Sequence, residues 1–116
     1  MKITVNEQSD ISIIALSGDF IGDADHSALR EHVRALAGKG KNRLIIDLSD
    51  VEYINSSGLG SLVGGLTTVL RSRGEMHLVG IGKNVAEVFR ITKLNTIFPI
   101  HPSLSAALAL IEKPAK

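Results

Sequence analysis

The sequence contains no cysteine among its 116 residues, which excludes disulfide bonds and thiolate metal sites. This absence leaves the redox environment of the protein undetermined. Long hydrophobic runs are also missing, since no stretch approaches the roughly eighteen apolar residues of a membrane-spanning helix. Residues 1–8 lack the apolar segment of a secretory signal peptide. We therefore expect a cytoplasmic protein with no segment inserted in a membrane.

Neither sign of charge dominates the sequence. Thirteen basic and twelve acidic residues give a formal net charge of +1, and basic residues cluster only at Lys39, Lys41 and Arg43, around a glycine-rich turn. A nucleic-acid-binding surface normally carries a strong basic excess, so we expect no nucleic-acid partner. The hydrophobic fraction of 44% is typical of a globular chain. The length predicts a single domain over residues 1–116, with a loose tail at 113–116.

Hydrophobic periodicity predicts an α/β fold. Strands at 3–5 and 11–16 flank a polar turn and form an antiparallel hairpin. Helices then alternate with strands, which indicates a mixed sheet that is parallel wherever a helix makes the crossover. The predicted elements after the hairpin are a helix capped by Asp23 or Asp25 and ended by Gly38 and Gly40, a strand at 43–48, a helix at 57–73 ended by a left-handed Gly74, a strand at 76–79, a helix opened by a capping box of Asn84 and Glu87, a strand at 97–100 and a helix capped by Ser103.

Ser56 and Ser57 are predicted at the start of the helix that follows a buried strand. The apolar run at 44–46 is typical of a strand covered on both faces, and apolar residues recur at helical spacing beyond Gly58. Free backbone N–H groups and the positive end of the helix dipole favour an anion there, a phosphate included. The arrangement suits a phosphorylation switch. An ordinary N-cap is the structural alternative for these serines.

The order of elements resembles the STAS domain of bacterial anti-sigma factor antagonists, as do the stretch Asp47-Leu48-Ser49 and the turn Asn55-Ser56-Ser57-Gly58-Leu59-Gly60. The likeness spans nearly the whole chain and implies a STAS-like mixed sheet with about four helices. In that family the anti-sigma factor, itself a serine protein kinase, phosphorylates a serine of the turn. The unmodified domain binds the anti-sigma factor and frees the sigma factor, whereas the phosphorylated domain is released.

The resemblance also implies roles for particular residues and partners. Ser56 corresponds to the phosphorylated serine, and Asn55 stands where the family usually has aspartate. A phosphatase that dephosphorylates Ser56 is a further expected partner, whereas no cofactor, no metal and no catalysis are expected. The loop at 20–25 is slightly longer than the family pattern. The residues predicted to bind the partner are Asp19, Asp23, Asn55, Ser56, Ser57, Gly58, Gly60, Ser61 and Gly64.

Three glycines interrupt the helix that follows Ser56. Gly60, Gly64 and Gly65 each cost about 1 kcal/mol relative to alanine in a helix interior. A stripe with few side chains allows another backbone to approach closely. The sequence leaves two interpretations open: a flat docking face for a partner protein, or close packing against a neighbouring helix or the sheet.

Two other patterns favour structural interpretations. Asp47 is expected to accept backbone N–H bonds in the loop after its strand. The histidines at 26, 32, 77 and 101 are spread over different elements without metal-ligand spacing. We therefore expect no catalytic or metal-binding role for any of the four.

Rival functions are weakly supported by the sequence. Gly80–Asn84 lacks the upstream glycine and the hydroxyl residue of a P-loop, so a plain strand-to-helix turn is expected. A hydrolase nucleophile elbow needs a glycine where Ile54 stands. The alternative that stays open is a STAS module of another machine, either a subunit of a lipid-transport complex or a regulator of a phosphatase or other signalling protein.

Overall fold

The computed structural model describes residues 2–19 and 23–111, with the side chains of 23–26 left aside. Within these ranges the chain forms five strands and four α-helices. The strands are β1 (Lys2–Gln8), β2 (Ile11–Ser17), β3 (Arg43–Asp50), β4 (Glu75–Val79) and β5 (Ile100–His101), and the helices are α1 (Asp23–Gly38), α2 (Ser56–Arg71), α3 (Lys83–Thr92) and α4 (Leu104–Ile111), with a short 3-10 turn at Leu94–Thr96.

The strands form one mixed sheet in the order β1-β2-β3-β4-β5. Strand β1 is antiparallel to β2, and the remaining neighbours are parallel. The predicted hairpin and parallel crossovers are therefore confirmed. The single domain and the loose tail stay predictions, and residues 113–116 lie outside the described residues.

Two apolar cores cover the two faces of the sheet. Helices α1, α2 and α3 pack on one face, where alternate residues of β3 such as Ile46 lie at 0% exposure. Helix α4 packs on the other face against a smaller core of Ile11, Ile13, Ile45 and Val79. A continuous apolar run in a strand reflects this burial on both sides. None of the helices in the described ranges is long and apolar enough to cross a bilayer.

The end of α2 differs from the prediction. The helix stops at Arg71, and Arg73 rather than Gly74 takes the left-handed conformation, with φ of 61°. Gly74 is needed for a different reason, because a Cβ atom there would lie 2.1 Å from the carbonyl oxygen of Asn42. The neighbouring N–H of Glu75 donates to that same oxygen. Gly74 is therefore a close-approach glycine between two chain segments, and the prediction of a left-handed cap was wrong.

Two predicted starts also need correction. Helix α3 begins at Lys83, and its N-cap is Gly82, which has no side chain to form a cap. Asn84 and Glu87 therefore form no capping box, and Glu87 instead accepts from Arg90 Nε at 3.1 Å. Strand β5 begins at Ile100, since residues 97–99 form a turn whose Phe98 ring packs edge-on against Phe89. By contrast, Ser103 caps α4 as predicted, its Oγ accepting from the N–H of Ala106 at 3.2 Å.

Candidate functional site

The carboxyl ends of the parallel strands β2, β3 and β4 meet at one edge of the sheet, where the candidate residues lie. The N–H of Gly18, just after β2, donates to the carbonyl of Asp50 at the end of β3 at 3.0 Å. This bond joins the turn that carries Asp19 to the segment that leads into α2. Loops at this edge are the usual working surface of an open α/β sheet.

Asn55, not a serine, is the N-cap of α2. Its extended backbone (φ −107°, ψ −178°) precedes the helix, and its Oδ1 accepts from the N–H of Gly58 at 2.9 Å. Its carbonyl accepts from the N–H of Leu59 at 2.9 Å. Because the first N–H groups of a helix have no partner within it, those of Ser56 and Ser57 remain available for an anion. The alternative that the serines serve as the cap was wrong.

The hydroxyls of Ser56 and Ser57 face solvent. Both residues are exposed, and neither hydroxyl has a hydrogen-bond partner among the residues that the structure describes. Each lies in the first turn of α2, where the helix dipole favours negative charge. A modifying enzyme can therefore reach either oxygen without opening the fold.

The predicted docking residues separate into surface and interior groups. Asp19, Asn55, Ser56, Ser57, Gly60 and Gly64 are exposed. Gly58 and Ser61 are buried, Ser61 to 4% exposure, with its hydroxyl facing inward and unpaired within the described residues. Ser61 therefore does not belong to a docking surface, and Gly58 contributes only through the cap. Asp23 is the first residue of α1, but its side chain and residues 20–22 lie outside the described residues, as does the predicted capping by Asp23 or Asp25.

The three glycines of α2 have two different surroundings. A Cβ atom added at Gly60 or Gly64 would meet no atom within 4 Å, so this side of the helix is open. A Cβ atom at Gly65 would lie 3.0 Å from the Cε of Met76 and 3.6 Å from Val33. Gly65 therefore allows α2 to pack against α1 and β4, while Gly60 and Gly64 form a bare outer face.

Sequence reasoning missed Tyr53, a large exposed side chain three residues before Ser56. Tyr53 is 53% exposed in the segment between β3 and α2. Tyrosine is enriched at protein interfaces because its ring supplies contact area at a low entropic cost. Its sequence signal was an aromatic residue in a polar loop, in a chain that has few aromatic residues.

A shallow pocket of about 410 Å³ borders the same edge of the sheet, lined by residues 49–52 and 82–84. Asp47 accepts hydrogen bonds in the loop after β3 as expected, since its Oδ1 accepts from the N–H of Ser49 at 3.0 Å and from the Ser49 hydroxyl at 2.7 Å. Gly80 has φ of +72° and forms the expected plain turn between β4 and α3. The pocket thus has a structural explanation in two loops that follow parallel strands.

Two histidines that look unrelated in sequence meet in the structure. His77 Nδ1 lies 2.9 Å from His101 Nε2, and His77 Nε2 lies 2.7 Å from Glu75 Oε1. Glu75 also accepts from Arg43 Nε at 3.0 Å. Over the described ranges no group of three potential ligands could hold a metal ion. The cluster joins β3, β4 and β5, and it was missed because the pairing of β5 places His101 next to His77.

Burial and charge shift the pKa values of His101 and Glu75 in this cluster. Burial lowers the pKa of His101 below its usual 6.5, and the nearby charge of His77 lowers it further. For Glu75, burial acts to raise the pKa, but the hydrogen bonds from His77 and Arg43 outweigh it and lower the pKa below 4.5. The carboxylate therefore stays ionised at neutral pH.

Comparison with known proteins agrees with this geometry. The STAS domain profile matches residues 2–107, and the chain belongs to the STAS domain family. BtrV of Bordetella bronchiseptica, assigned as an anti-sigma factor antagonist, is 31% identical over 109 residues, or 94% of this chain and 93% of BtrV. A Thermotoga maritima crystal structure with the same assignment matches with a TM-score of 0.88 at 26% identity, covering 96% of this chain and 95% of that one. Phosphorylated SpoIIAA, a Bacillus cell fate determinant, shares the fold, with a TM-score of 0.75 at 15% identity over 95% of this chain and 99% of its own.

Proposed function

We propose that this protein is an anti-sigma factor antagonist in a partner-switching pathway, with Ser56 as the switch. The observation that carries the proposal is the position of Ser56, which is exposed in the first turn of α2 and whose hydroxyl has no hydrogen-bond partner in the described part of the chain. Membership of the STAS family and the assignments of the relatives support the same role. The partner is an anti-sigma factor that is also a serine kinase, and a phosphatase reverses the modification. The pathway operates in the cytoplasm.

The switch acts through charge rather than through a change of fold. A phosphate on Ser56 adds about 1.5 to 2 negative charges and three strong acceptor oxygens. The start of α2 stabilises such a group by about 0.3 to 1 kcal/mol, so the phosphorylated domain remains folded. A partner surface complementary to a neutral hydroxyl must instead desolvate a dianion. That penalty is several kcal/mol, and each 1.4 kcal/mol weakens binding tenfold.

The docking surface comprises Asn55, Ser56, Ser57, Gly60 and Gly64, with Asp19 and Tyr53 at its border. The exposed part of α2 beyond Ser56 carries no side chain at Gly60 or Gly64, which lets a partner helix or loop approach the backbone. Tyr53 would then contribute the aromatic anchor that interfaces commonly use. Asp23 stays in the proposal on the family resemblance alone.

The proposed role requires no catalysis by this chain. A serine nucleophile needs a general base within hydrogen-bond reach. No side chain of the described residues lies within hydrogen-bond distance of the hydroxyl of Ser56 or Ser57. The serines are therefore better suited to receive a phosphoryl group than to attack a substrate.

The test combines kinase mapping with a binding titration. The protein is incubated with candidate anti-sigma kinases and ATP, and the modified residue is located by mass spectrometry. We expect modification of wild type and of Ser57→Ala, and none of Ser56→Ala. In the titration, Ser56→Asp should bind the kinase at least tenfold more weakly than Ser56→Ala. Modification at another residue, or equal affinities of Ser56→Asp and Ser56→Ala, would contradict the proposal.

A further inference from the structure

A basic groove lies between α1 and α2, away from the strand ends. It has a volume of about 380 Å³ and is lined by Arg30 and Arg34 of α1 and by Arg71, Gly64, Thr67 and Thr68 of α2. All three arginines are exposed. Three arginines thus border one concave surface of a protein whose net charge is only +1.

The arginines of the groove form no ion pair with an acidic side chain of the described residues. The ion pairs of the described residues use Lys41, Arg43, His77 and Arg90, and none involves an arginine of the groove. Arg30 and Arg34 are also one helical turn apart, a spacing at which like charges repel. The isolated protein therefore carries an unfavourable concentration of positive charge that a bound acidic group would relieve.

Among the described lining residues, the arginines are the strong hydrogen-bond donors. The hydroxyl of Thr67 donates to the carbonyl of Val63, and that of Thr68 donates to the carbonyl of Gly64, both at 3.0 Å. Their protons are therefore already used. Gly64 leaves open space where a side chain would stand, so an extended backbone can enter the groove.

The groove continues the exposed stripe that starts at Ser56. Residues 56, 60, 64, 67 and 71 recur at helical spacing and are all exposed. From Ser56 to Arg71 the stripe extends about 22 Å along α2. A partner that covers Ser56 and follows the helix reaches the arginines at its far end.

We propose that this groove is a second docking surface, which binds a carboxylate-rich segment of a protein partner. The inference rests on the proposed function only in that the same partner covers Ser56. Guanidinium groups bind carboxylates through paired hydrogen bonds. Nucleic acid is less suitable because its affinity depends on many phosphate contacts along an extended basic surface, whereas this groove presents three arginines.

The test is an NMR titration of the full chain with a glutamate-rich peptide at low salt. We expect shifts at residues 30, 34, 64 and 71, and an affinity that falls steeply with added salt. The double variant Arg30→Gln/Arg34→Gln should bind the peptide about fivefold more weakly. Arg71→Gln, on the other wall, should weaken it as well. The matched control Lys39→Gln/Lys93→Gln removes the same charge from exposed positions outside the groove and should bind like wild type.

Further measurements distinguish peptide binding in the groove from the proposed phosphorylation of Ser56. Ser56→Asp should bind the peptide like wild type, because the peptide occupies only the far end of the stripe. Weaker peptide binding by Ser56→Asp would locate the peptide at Ser56 and overturn the groove assignment. The assignment would also be overturned if no chemical shifts changed at the groove residues, or if the two double variants lost equal peptide affinity. Tighter binding of a DNA duplex or of phosphatidylserine vesicles would assign the groove to another ligand. If the peptide does not bind to the groove but the kinase still phosphorylates Ser56, the groove inference is wrong and the proposed function stands.

Discussion

The Oδ1 atom of Asn55 accepts a hydrogen bond from the backbone N–H of Gly58 at 2.9 Å, directly beside the serine that we propose as the switch. The same residue therefore ends the segment after β3 and sets the first turn of α2. Its amide side chain gives the helix its cap without adding charge. A phosphate on Ser56 would consequently meet the helix dipole without repulsion from a neighbouring carboxylate.

Replacing Asn55 tests the cap. Asn55→Ala should lower the free energy of unfolding by about 1 kcal/mol, because the N–H of Gly58 loses its acceptor. Asn55→Asp keeps the acceptor and adds a favourable interaction with the dipole, so it should match wild type or exceed it by about 0.3 to 1 kcal/mol. Urea denaturation followed by circular dichroism measures both. Equal stability of Asn55→Ala and wild type would show that the cap contributes nothing.

Replacement by leucine should affect protein stability differently at Gly64 and at Gly65. Gly65→Leu must fit a side chain where Met76 lies 3.0 Å from the first added carbon, and we expect a loss of about 1 to 3 kcal/mol. Gly64→Leu meets open space and removes a helical glycine, so its melting temperature should not fall. If α2 is the docking face, Gly64→Leu should nevertheless lose partner binding. A destabilised Gly64→Leu would instead indicate that this face is packed.

Periodicity and motif spacing were sufficient to predict the hairpin, the parallel crossovers and the position of Ser56. Those features depend on local patterns, namely alternating apolar residues and a serine turn before a helix. The pairing of His77 with His101 was not predictable, because it depends on the register between β4 and a strand of only two residues. Likewise, Gly64 and Gly65 look equivalent in sequence, and only the positions of Val33 and Met76 distinguish them.

The close approach at Gly74 also depends on a contact between distant segments, which the sequence does not reveal. It can be tested directly by substitution. Gly74→Ala would place a Cβ atom 2.1 Å from the carbonyl oxygen of Asn42 and 2.6 Å from its Cβ. Backbone must move to relieve this overlap, so we expect a loss of at least about 1 to 3 kcal/mol in the free energy of unfolding. Gly38→Ala is the matched control, since a Cβ atom there meets nothing within 4 Å. Similar stabilities of the two variants would contradict the close approach.

The contact between His77 and His101 predicts a pH dependence of stability. His77 Nε2 donates to Glu75, because the ionised carboxylate can only accept, and His77 Nδ1 lies 2.9 Å from His101 Nε2. Because burial lowers the pKa of folded His101 below 6.5, the unfolded chain binds a proton more readily than the native chain. His101 therefore makes its full contribution to the free energy of unfolding above pH 6.5. This contribution is lost as the pH falls from 6.5 through the lower pKa of His101 in the folded state. Denaturation at a series of pH values should show this loss in wild type and a shallower slope in His101→Asn. An NMR titration midpoint for His101 at or above 6.5, or equal slopes in the two proteins, would contradict the argument.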